Sequence, residues 1–328
     1  MQVSLKIQRY NPETEEQALE SFTVDVNEEA TLLDTLDVIK DEVDGSLTYR
    51  KSCRMAVCGS CGMRMDGGAV LACKTPMRPL VEAGEVPVIS PMGNLPVLKD
   101  LVVDMEPFWA KFRAVKPYLD DGGIEPPVKE WRVQQEQLDR IMTEALCIQC
   151  GCCVSECNSM EADPDFLGPA ALAKAARFVY DVRDRGGKQR LEMYNGPHGV
   201  WDCTRCYFCN QRCPKGVHPR DAIAKVGAAI YQEGMHSDPG ARHAKVFVKS
   251  THKTGYLLET NLVPETVGAI KEIPFGLQLA RAGKVPNPFN PHKAKKLDEV
   301  RRLNKLIAAH EQAVHDANRE GPTRPPDE

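Results

Sequence analysis

The chain has 328 residues, of which 42% are apolar, and its formal net charge at pH 7 is −4. A chain of this length can form two domains with buried cores. The slightly acidic balance gives no basic surface of the kind that binds nucleic acids. The first residues lack the features of a signal peptide, and no run of about 18 apolar residues could span a bilayer. We therefore expect a cytoplasmic protein.

The first predicted elements are two strands and a short helix. Alternating apolar and polar residues predict strands over residues 3–7 and 22–26, joined by a turn near residues 11–12. Thr31 is the expected cap of the helix, with Asp34 at the capping-box position. The apolar face of this helix consists of Leu32, Leu33, Leu36 and Ile39.

A loop rich in cysteine and glycine follows this helix. Its cysteines have the spacing C-x4-C-x2-C-x11-C, which is typical of the ligands of a plant-type [2Fe–2S] cluster. Gly59 and Gly62 lie in this loop, where we expect the backbone to pass close to the cluster and to direct N–H groups at its sulfurs. The four predicted ligands are Cys53, Cys58, Cys61 and Cys73.

Three more strands complete the N-terminal domain. Residues 63–65 and 69–71 flank the turn 66–68, and residues 86–89 supply a further strand. This order of elements predicts an α+β fold that begins with a β-grasp, ferredoxin-like [2Fe–2S] domain over residues 1–105.

From residue 106 the pattern becomes helical. Long charged and alanine-rich segments predict helices over residues 133–146, 170–184 and 221–232. We expect an all-helical domain over residues 106–235, resembling a two-cluster bacterial ferredoxin, with its clusters as part of the core.

Two cysteine runs with the pattern C-x2-C-x2-C-x3-C lie at the ends of such helical segments. Three thiolates on one tight loop can hold three corners of a cubane, while the fourth, at the start of a helix, faces the other cluster. Pro214 stops one helix from running on through the second loop. The runs are Cys147, Cys150, Cys153 and Cys157, then Cys203, Cys206, Cys209 and Cys213. They predict two cubane clusters and therefore electron transfer.

Other uses of these thiols are disfavoured. The odd count of 13 cysteines, without an export signal, argues against a disulfide framework. Structural zinc also uses C-x2-C pairs, but it does not require the triplets or the x4-x2 set found here. A metal-binding scaffold without redox turnover is the remaining alternative of a different class, and metal analysis would distinguish it.

Residues 236–328 are predicted to form a helical extension of shorter helices, ending in a disordered tail over the last ten residues. The extension contains one basic amphipathic segment. We favour a solvated helix packed on its own protein over a helix that docks on a partner or an anionic membrane surface. Its basic residues are His292, Lys293, Lys295, Lys296, Arg301, Arg302 and Lys305, and its apolar residues are Leu297, Val300, Leu303 and Leu306.

From its N-terminus to about residue 232, the chain resembles the iron–sulfur subunit of the succinate dehydrogenase and fumarate reductase family. Besides the cysteines, the resemblance lies in the segments SCRMAVCGSCG, PVLKDLVVDMEPFW, FLGPAAL and CPKGVHPRDAI. It implies that the [2Fe–2S] cluster is held by Cys53, Cys58, Cys61 and Cys73. A [4Fe–4S] cluster would be held by Cys147, Cys150, Cys153 and, from the other run, Cys213. The third cluster would be held by Cys157, Cys203 and Cys209.

The nature of the third cluster depends on Cys206. In common family members this centre is [3Fe–4S], because the matching position is not a cysteine. A fourth thiolate should retain a fourth iron, so we predict a second [4Fe–4S] cluster with a lower potential. The extra Cys152 is expected to be a small buried thiol and not a ligand.

Two departures from the family concern the electron acceptor. Where familiar members have residues of a ubiquinone pocket, this chain has NSMEA over residues 158–162, and Thr204, so the usual quinone pocket is not expected. The extension, with AKVFVKSTHKTGYLLETNL and LARAGKVPNPFNPHK, resembles the C-terminal half of heterodisulfide reductase C subunits. Together with Cys206, this indicates the divergent group whose membrane-side subunit is cysteine-rich, with CCG motifs.

The resemblance implies the iron–sulfur subunit of a succinate dehydrogenase. A flavoprotein partner would oxidise succinate at FAD, and this chain would pass the electrons through three clusters to a membrane quinone. The complex would lie on the inner face of the cell membrane. The alternative is a fumarate reductase driven by a quinol or a thiol.

No catalytic acid or base is expected in this chain. His198 and His218 are predicted to be surface or packing residues. Arg205, Arg212 and Lys215 flank the third centre; they either tune its potential and steer an acceptor, or are solvated surface charges.

Overall fold

The computed structural model describes residues 1–123, 130–268, 273–283 and 294–319. The chain forms two compact units. One unit consists of Met1–Tyr118, Asp139–Phe178 and Cys203–Ile223. The other consists of Leu119–Leu138, Val179–Asp202 and Ala224–Glu328. Each helix in the described ranges is too short or too polar to cross a membrane.

A five-stranded mixed sheet forms the centre of the N-terminal region. Its strands are β1 (Gln2–Tyr10), β2 (Gln17–Asp25), β3 (Gly62–Met65), β4 (Gly68–Leu71) and β5 (Val88–Ser90). They lie in the order β2-β1-β5-β3-β4, with β1 parallel to β5 and the other neighbours antiparallel. The long connection that carries the helix and the cluster loop permits the parallel pairing. The predicted α+β fold is confirmed.

Predicted strands differ from the observed ones at their ends, and β1 covers Gln2–Tyr10 where residues 3–7 are predicted. β2 begins at Gln17 and not at residue 22, because it pairs with β1 along its whole length, from Gln2 to Tyr10. β5 begins at Val88 because Pro87 has no N–H group to donate to a neighbouring strand.

The helix before the cluster loop, α1 (Leu32–Val38), begins as predicted. The Thr31 hydroxyl accepts the Asp34 N–H at 3.3 Å, and the Asp34 carboxylate accepts the Thr31 N–H at 3.0 Å, which completes a capping box. The helix continues as a π-helical turn, Ile39–Val43, which the apolar pattern did not predict. The core between this helix and the sheet includes Leu5, Ile7, Leu32, Leu36, Ile39, Met63 and Ile89.

Short elements lead from the sheet into the helical region. They are α2 (Arg78–Glu82), the two-stranded sheet β6 (Val97–Lys99) and β7 (Val102–Val103), and α3 (Glu106–Ala114). Asp100, between β6 and β7, is buried and accepts the N–H groups of Tyr10 and Thr48. This carboxylate fixes the small sheet beside β1.

The middle of the chain is helical, as predicted. The helices are α4 (Gln135–Ala145), α5 (Cys152–Ser155), α6 (Asn158–Ala162), α7 (Gly168–Val179), α8 (Gly187–Asn195), α9 (Phe208–Gln211) and α10 (Pro219–Gln232). α7 ends at Val179, although a helix to residue 184 was predicted. The helix ends there because the Asp181 carboxylate accepts the Arg183 N–H at 3.0 Å and forms a turn.

The C-terminal extension is also helical. Its helices are α11 (Pro239–Thr254), α12 (Glu259–Val267), α13 (Ile273–Arg281) and α14 (Leu297–Arg319). The Arg301 guanidinium donates to the carbonyl of His252 at 3.0 Å, which holds the start of α14 against the end of α11. His292, Lys293 and residues 320–328 of the predicted tail lie outside the described residues.

Candidate metal centres

The four cysteines of the first set surround the loop that precedes β3. The N–H of Cys58 donates to Sγ of Cys53 at 3.2 Å. The N–H of Ala56 donates to Sγ of Cys73 at 3.3 Å, and the N–H of Cys73 itself donates to Sγ of Cys61 at 3.5 Å. The structure thus brings the four predicted ligands together. Backbone N–H groups directed at ligand sulfurs in this way tune the reduction potential of a bound cluster.

This first set has a surface side and a buried side. Cys58 is exposed, and hydrogen bonds from Ser60 and from the Cys53 N–H lower its pKa to about 6. Cys61 is buried, and burial raises its pKa to about 12. Next to Cys58 the loop exposes two apolar side chains, since Met55 is 71% exposed and Val57 is 57% exposed. The exposed side can therefore meet another protein.

The second predicted set surrounds a small cavity. Burial raises the pKa of Cys147, and the charges of Cys150 and Cys213 raise it further, so Cys213 lies within electrostatic reach of the first run. Cys153 is fully buried, and burial raises its pKa well above the ordinary range. The cavity is lined by Cys147, Cys150, Cys153 and Cys213, with apolar walls that include Ala170, Ala173 and Val217.

The third predicted set combines Cys157 with the second run. Burial raises the pKa of Cys157, hydrogen bonds from the backbone of Met160 and Ser159 lower it, and the charges of Cys203 and Cys206 raise it further. Burial likewise raises the pKa of Cys209 to about 12, with contributions from Cys203, Cys157 and Cys206. The two runs are therefore interleaved, because Cys157 and Cys213 each lie with the thiols of the other run.

An asparagine and an arginine shape the loop around Cys209. The Asn210 side chain accepts the Arg220 N–H at 2.9 Å and donates to Asp221 at 2.9 Å, which joins α9 to α10. The Arg220 guanidinium lies 4.5 Å from the centre of the Tyr207 ring. Burial raises the pKa of Cys203, and the positive charge of Arg220 partly opposes this rise.

The donor chemistry of the three sets fits iron–sulfur clusters. None of the thirteen cysteines forms a disulfide, and the predicted ligands are three sets of four cysteines each. Four thiolates are the ligand set of [2Fe–2S] and [4Fe–4S] clusters. Buried thiols whose pKa is as high as that of Cys209 ionise only beside a strong positive charge, which iron supplies.

Cys152, which is not a predicted ligand, and the cations that flank the third set lie in different environments. Cys152 is completely buried, with its Sγ 3.9 Å from the Val70 carbonyl oxygen. Lys215 lines the cavity of the second set, and the charge of Arg205 favours the thiolate form of Cys203. The Arg212 guanidinium packs against Gly68 on the sheet. His198 and His218 are both exposed.

Three residues near these centres were not identified from the sequence. Lys174 is half-buried on α7, and its charge favours the thiolate form of Cys147. The Arg220 N–H donates to Asn210 in the loop of Cys209, and the Asn94 amide donates to the Cys157 carbonyl. The available sequence signal for Lys174 was a lysine within the alanine-rich segment that forms α7. For Asn94 there was no such signal, because its contacts come from tertiary structure alone.

Two family models match the chain. A 2Fe-2S iron-sulfur cluster binding domain matches residues 4–110, and a 4Fe-4S dicluster domain matches residues 145–217. The first match contains the set around Cys53–Cys73, and the second contains both cubane runs.

Similar curated proteins are iron–sulfur subunits of two related oxidoreductases. The fumarate reductase iron-sulfur subunit of Haemophilus influenzae is 40% identical over 233 residues, covering 67% of this chain and 90% of that protein. The 8-methylmenaquinol:fumarate reductase iron-sulfur subunit of Wolinella succinogenes is 36% identical over 269 residues, covering 80% and 84%. The succinate dehydrogenase iron-sulfur subunit of Coxiella burnetii is 36% identical over 235 residues, covering 70% and 98%.

A solved structure shows the same architecture. A chain of the Mycobacterium smegmatis Sdh1 complex in the apo form matches with a TM-score of 0.65 and 25% identity, covering 71% of this chain and 96% of that chain. These matches confirm the predicted family, the fold class and the electron-transfer role. The chain belongs to the succinate dehydrogenase and fumarate reductase family, as its electron-transferring iron–sulfur subunit.

Proposed function

We propose that this chain is the iron–sulfur subunit of a succinate dehydrogenase, transferring electrons from the FAD of a flavoprotein partner to a membrane quinone. Clusters bound at the three sites would accept and release electrons one at a time. The observation that carries the proposal is the grouping of twelve thiols into three sets of four within one compact unit. The complex would lie on the inner face of the cell membrane.

The exposed side chains at the two ends of this arrangement support a direction through the chain. At the [2Fe–2S] loop, Met55 and Val57 offer an apolar surface to the flavoprotein. Beside the third set, Tyr207 and Phe208 are each 44% exposed and would face the acceptor side. Between these ends, the walls of the second set include the buried side chains of Ala170, Ala173 and Val217.

For the cofactors, we propose one [2Fe–2S] cluster and two [4Fe–4S] clusters. Cys206 supports the second [4Fe–4S] cluster, because its charge acts on both Cys157 and Cys209, as a ligand of the same centre would require. Without Cys206 as a ligand the third centre would be [3Fe–4S]. Iron analysis distinguishes the two, with about ten irons per chain expected for two cubanes and about nine for the [3Fe–4S] arrangement.

For the membrane side, we propose a cysteine-rich anchor subunit with CCG motifs. Cys206 and the helical extension support it. So does the pair Ser159 and Thr204, where the Thr204 N–H donates to the Ser159 hydroxyl at 3.0 Å. This contact fills positions that in familiar relatives contribute to a quinone pocket.

A fumarate reductase is the second candidate. The curated relatives from Haemophilus influenzae and Wolinella succinogenes carry that name, at 40% and 36% identity. The ligand sets serve either direction, because the relative potentials of the flavin, the clusters and the acceptor decide the flow.

Purification of the native complex tests these proposals. We expect a flavoprotein to co-purify and succinate to reduce the clusters. A chain that purifies alone and takes no electrons from succinate would overturn the assignment. A Cys206→Ala variant should lose about one iron per chain and gain a [3Fe–4S] EPR signal in the oxidised state. If the unmodified protein already shows a stoichiometric [3Fe–4S] signal with iron and sulfide present, the prediction of a second [4Fe–4S] cluster is wrong.

A further inference from the structure

Two glycines of the [2Fe–2S] loop pack directly against a predicted ligand of the next site. A Cβ atom at Gly59 would lie 2.8 Å from both Cα and Cβ of Cys150, and 3.1 Å from the carbonyl oxygen of Ile148. A Cβ atom at Gly62 would lie 3.1 Å from the Cys150 carbonyl oxygen and 3.1 Å from Met92 Sδ. Any side chain at Gly59 would therefore move one loop away from the other.

Each of these glycines directly follows a predicted [2Fe–2S] ligand in the chain. Gly59 follows Cys58 and Gly62 follows Cys61, and both glycines are buried. The Gly59 backbone, next to a ligand of the first set, thus lies in van der Waals contact with the Cys150 side chain of the second set. At this point the two loops therefore meet through buried protein atoms.

We propose that Gly59 and Gly62 set the separation between the [2Fe–2S] site and the first [4Fe–4S] site, and with it the rate of electron transfer between them. In this step one electron leaves the reduced [2Fe–2S] centre and one electron enters the oxidised cubane, while no bond or proton changes. The inference depends on the cofactors proposed above. It assigns the two glycines a positioning role, since neither touches a reacting atom.

The surrounding contacts hold this separation from both sides. Met92 is buried and packs between Gly62 and Gly151, the residue after Cys150. The Cys152 thiol lies 3.9 Å from the Val70 carbonyl oxygen on the neighbouring strand β4. The two loops therefore cannot slide apart or together without disturbing the packing around them.

The chain contains a matched control for backbone strain. Gly59 and Gly67 both have a φ of +75°, a conformation that L residues rarely adopt. A Cβ atom at Gly67, in the turn between β3 and β4, would meet nothing within 4 Å. Alanine thus has the same conformational penalty at the two positions, but only Gly59→Ala presses on Cys150.

The experiment uses the full chain in its native complex, reduced with dithionite. Iron content and the intensity of the [2Fe–2S] EPR signal are measured first, and an unmodified protein without these clusters would overturn the proposed function itself. The relaxation rate of the [2Fe–2S] signal is then measured. A neighbouring paramagnetic cubane accelerates this relaxation, and the acceleration falls steeply with distance, so the rate reports separation independently of turnover.

At full iron content, we expect a severalfold slower relaxation in Gly59→Ala and a smaller slowing in Gly62→Ala. Gly67→Ala should match the unmodified protein. If Gly59→Ala does not assemble its clusters, Gly62→Ala decides, because its φ is not left-handed and its nearest contacts lie at 3.1 Å. Unchanged relaxation in the assembled glycine variants would overturn the inference and leave the proposed function intact.

Discussion

The side-chain amide of Asn94 donates a hydrogen bond of 3.0 Å to the backbone carbonyl of Cys157. The same amide donates to the Val154 carbonyl at 2.8 Å. Next to it, the Gly93 N–H donates to the Ser155 hydroxyl at 2.9 Å. The chain segment after β5 therefore holds the loop that presents Cys157 to the third centre, which couples the two cluster-binding regions of the sequence.

We expect Asn94→Asp to destabilise this loop. Aspartate keeps the size of asparagine and its tolerance of the left-handed backbone found here, but it cannot donate to the two carbonyls. The free energy of unfolding, measured by urea titration, should fall by about 1–3 kcal/mol. A chelator should also remove iron from the third centre faster. Asn27→Asp is the control, because Asn27 uses its side-chain oxygen to accept the Glu29 N–H and aspartate preserves that bond. Equal effects of the two substitutions would contradict the role of Asn94.

Lys174 should raise the potential of the cluster at the second set. Burial lowers the pKa of Lys174, the nearby thiolate of Cys147 opposes this effect, and its ammonium lies 5.9 Å from the centre of the Phe112 ring. Lys174→Met removes this cation, so an EPR-monitored redox titration should give a midpoint lower by tens of millivolts, on the order expected for a nearby charge. Lys174→Arg should retain the potential. Lys188→Met, at an exposed lysine, should change nothing; an equal shift there would show that the effect is not local.

The acid stability of the N-terminal sheet should depend on Asp44. Hydrogen bonds from the Ser46 hydroxyl and from Arg9 lower the pKa of Asp44 to about 2. Because an unfolded aspartate has a pKa of about 4, this carboxylate stabilises the fold above pH 4, and the contribution is lost as the pH falls from about 4 to about 2. Ser46→Ala should make the unfolding free energy less dependent on pH in that window, as measured by circular dichroism in urea.

Ser4→Ala is the control for this pH effect. The Ser4 hydroxyl bonds the neutral Thr23 hydroxyl in the adjacent strand, at 2.9 Å. Its removal should shift stability by the same amount at every pH. A pH dependence identical to that of Ser46→Ala would contradict the assignment to Asp44.

The buried pair of Arg190 and Asp184 should contribute strongly to the stability of its unit. The guanidinium donates two hydrogen bonds to the carboxylate, at 2.9 Å and 2.7 Å, and the side chains are only 4% and 2% exposed. Asp184→Ala leaves a buried cation without this partner, which should cost about 3–5 kcal/mol in urea unfolding. Glu192→Ala breaks the exposed pair with Lys188 on the same helix and should cost only about 0.3–0.5 kcal/mol. Similar losses in the two variants would refute the importance of burial.

Much of this fold and its centres could be predicted from local sequence. The capping box at Thr31 and the hairpin turn at Asp66 and Gly67 use residues whose local chemistry specifies the structure. The cysteine spacings predicted the three thiol sets that the structure brings together, although the ligand assignment itself stays a prediction.

Tertiary contacts explain what the sequence could not predict. Gly59 and Gly62 are expected from the sequence to direct N–H groups at cluster sulfurs, and the structure shows that they also make room for Cys150. Nothing near them in sequence indicates a residue some ninety positions away. The same holds for Asn94, whose acceptors lie in a separate cysteine run, and for the π-helical turn that follows α1.

The interleaving of the two cysteine runs also affects the unfolded chain. In the proposed ligand sets, a cluster that joins Cys153 to Cys213 closes a loop of about 60 residues, a restraint worth roughly 4 kcal/mol in the chain-entropy model of cross-links. None of the thirteen cysteines forms a disulfide, and the proposed clusters would restrict this chain as disulfides restrict secreted domains. Iron starvation would then remove a cross-link as well as a redox centre, and the newly made subunit would become a substrate for proteases.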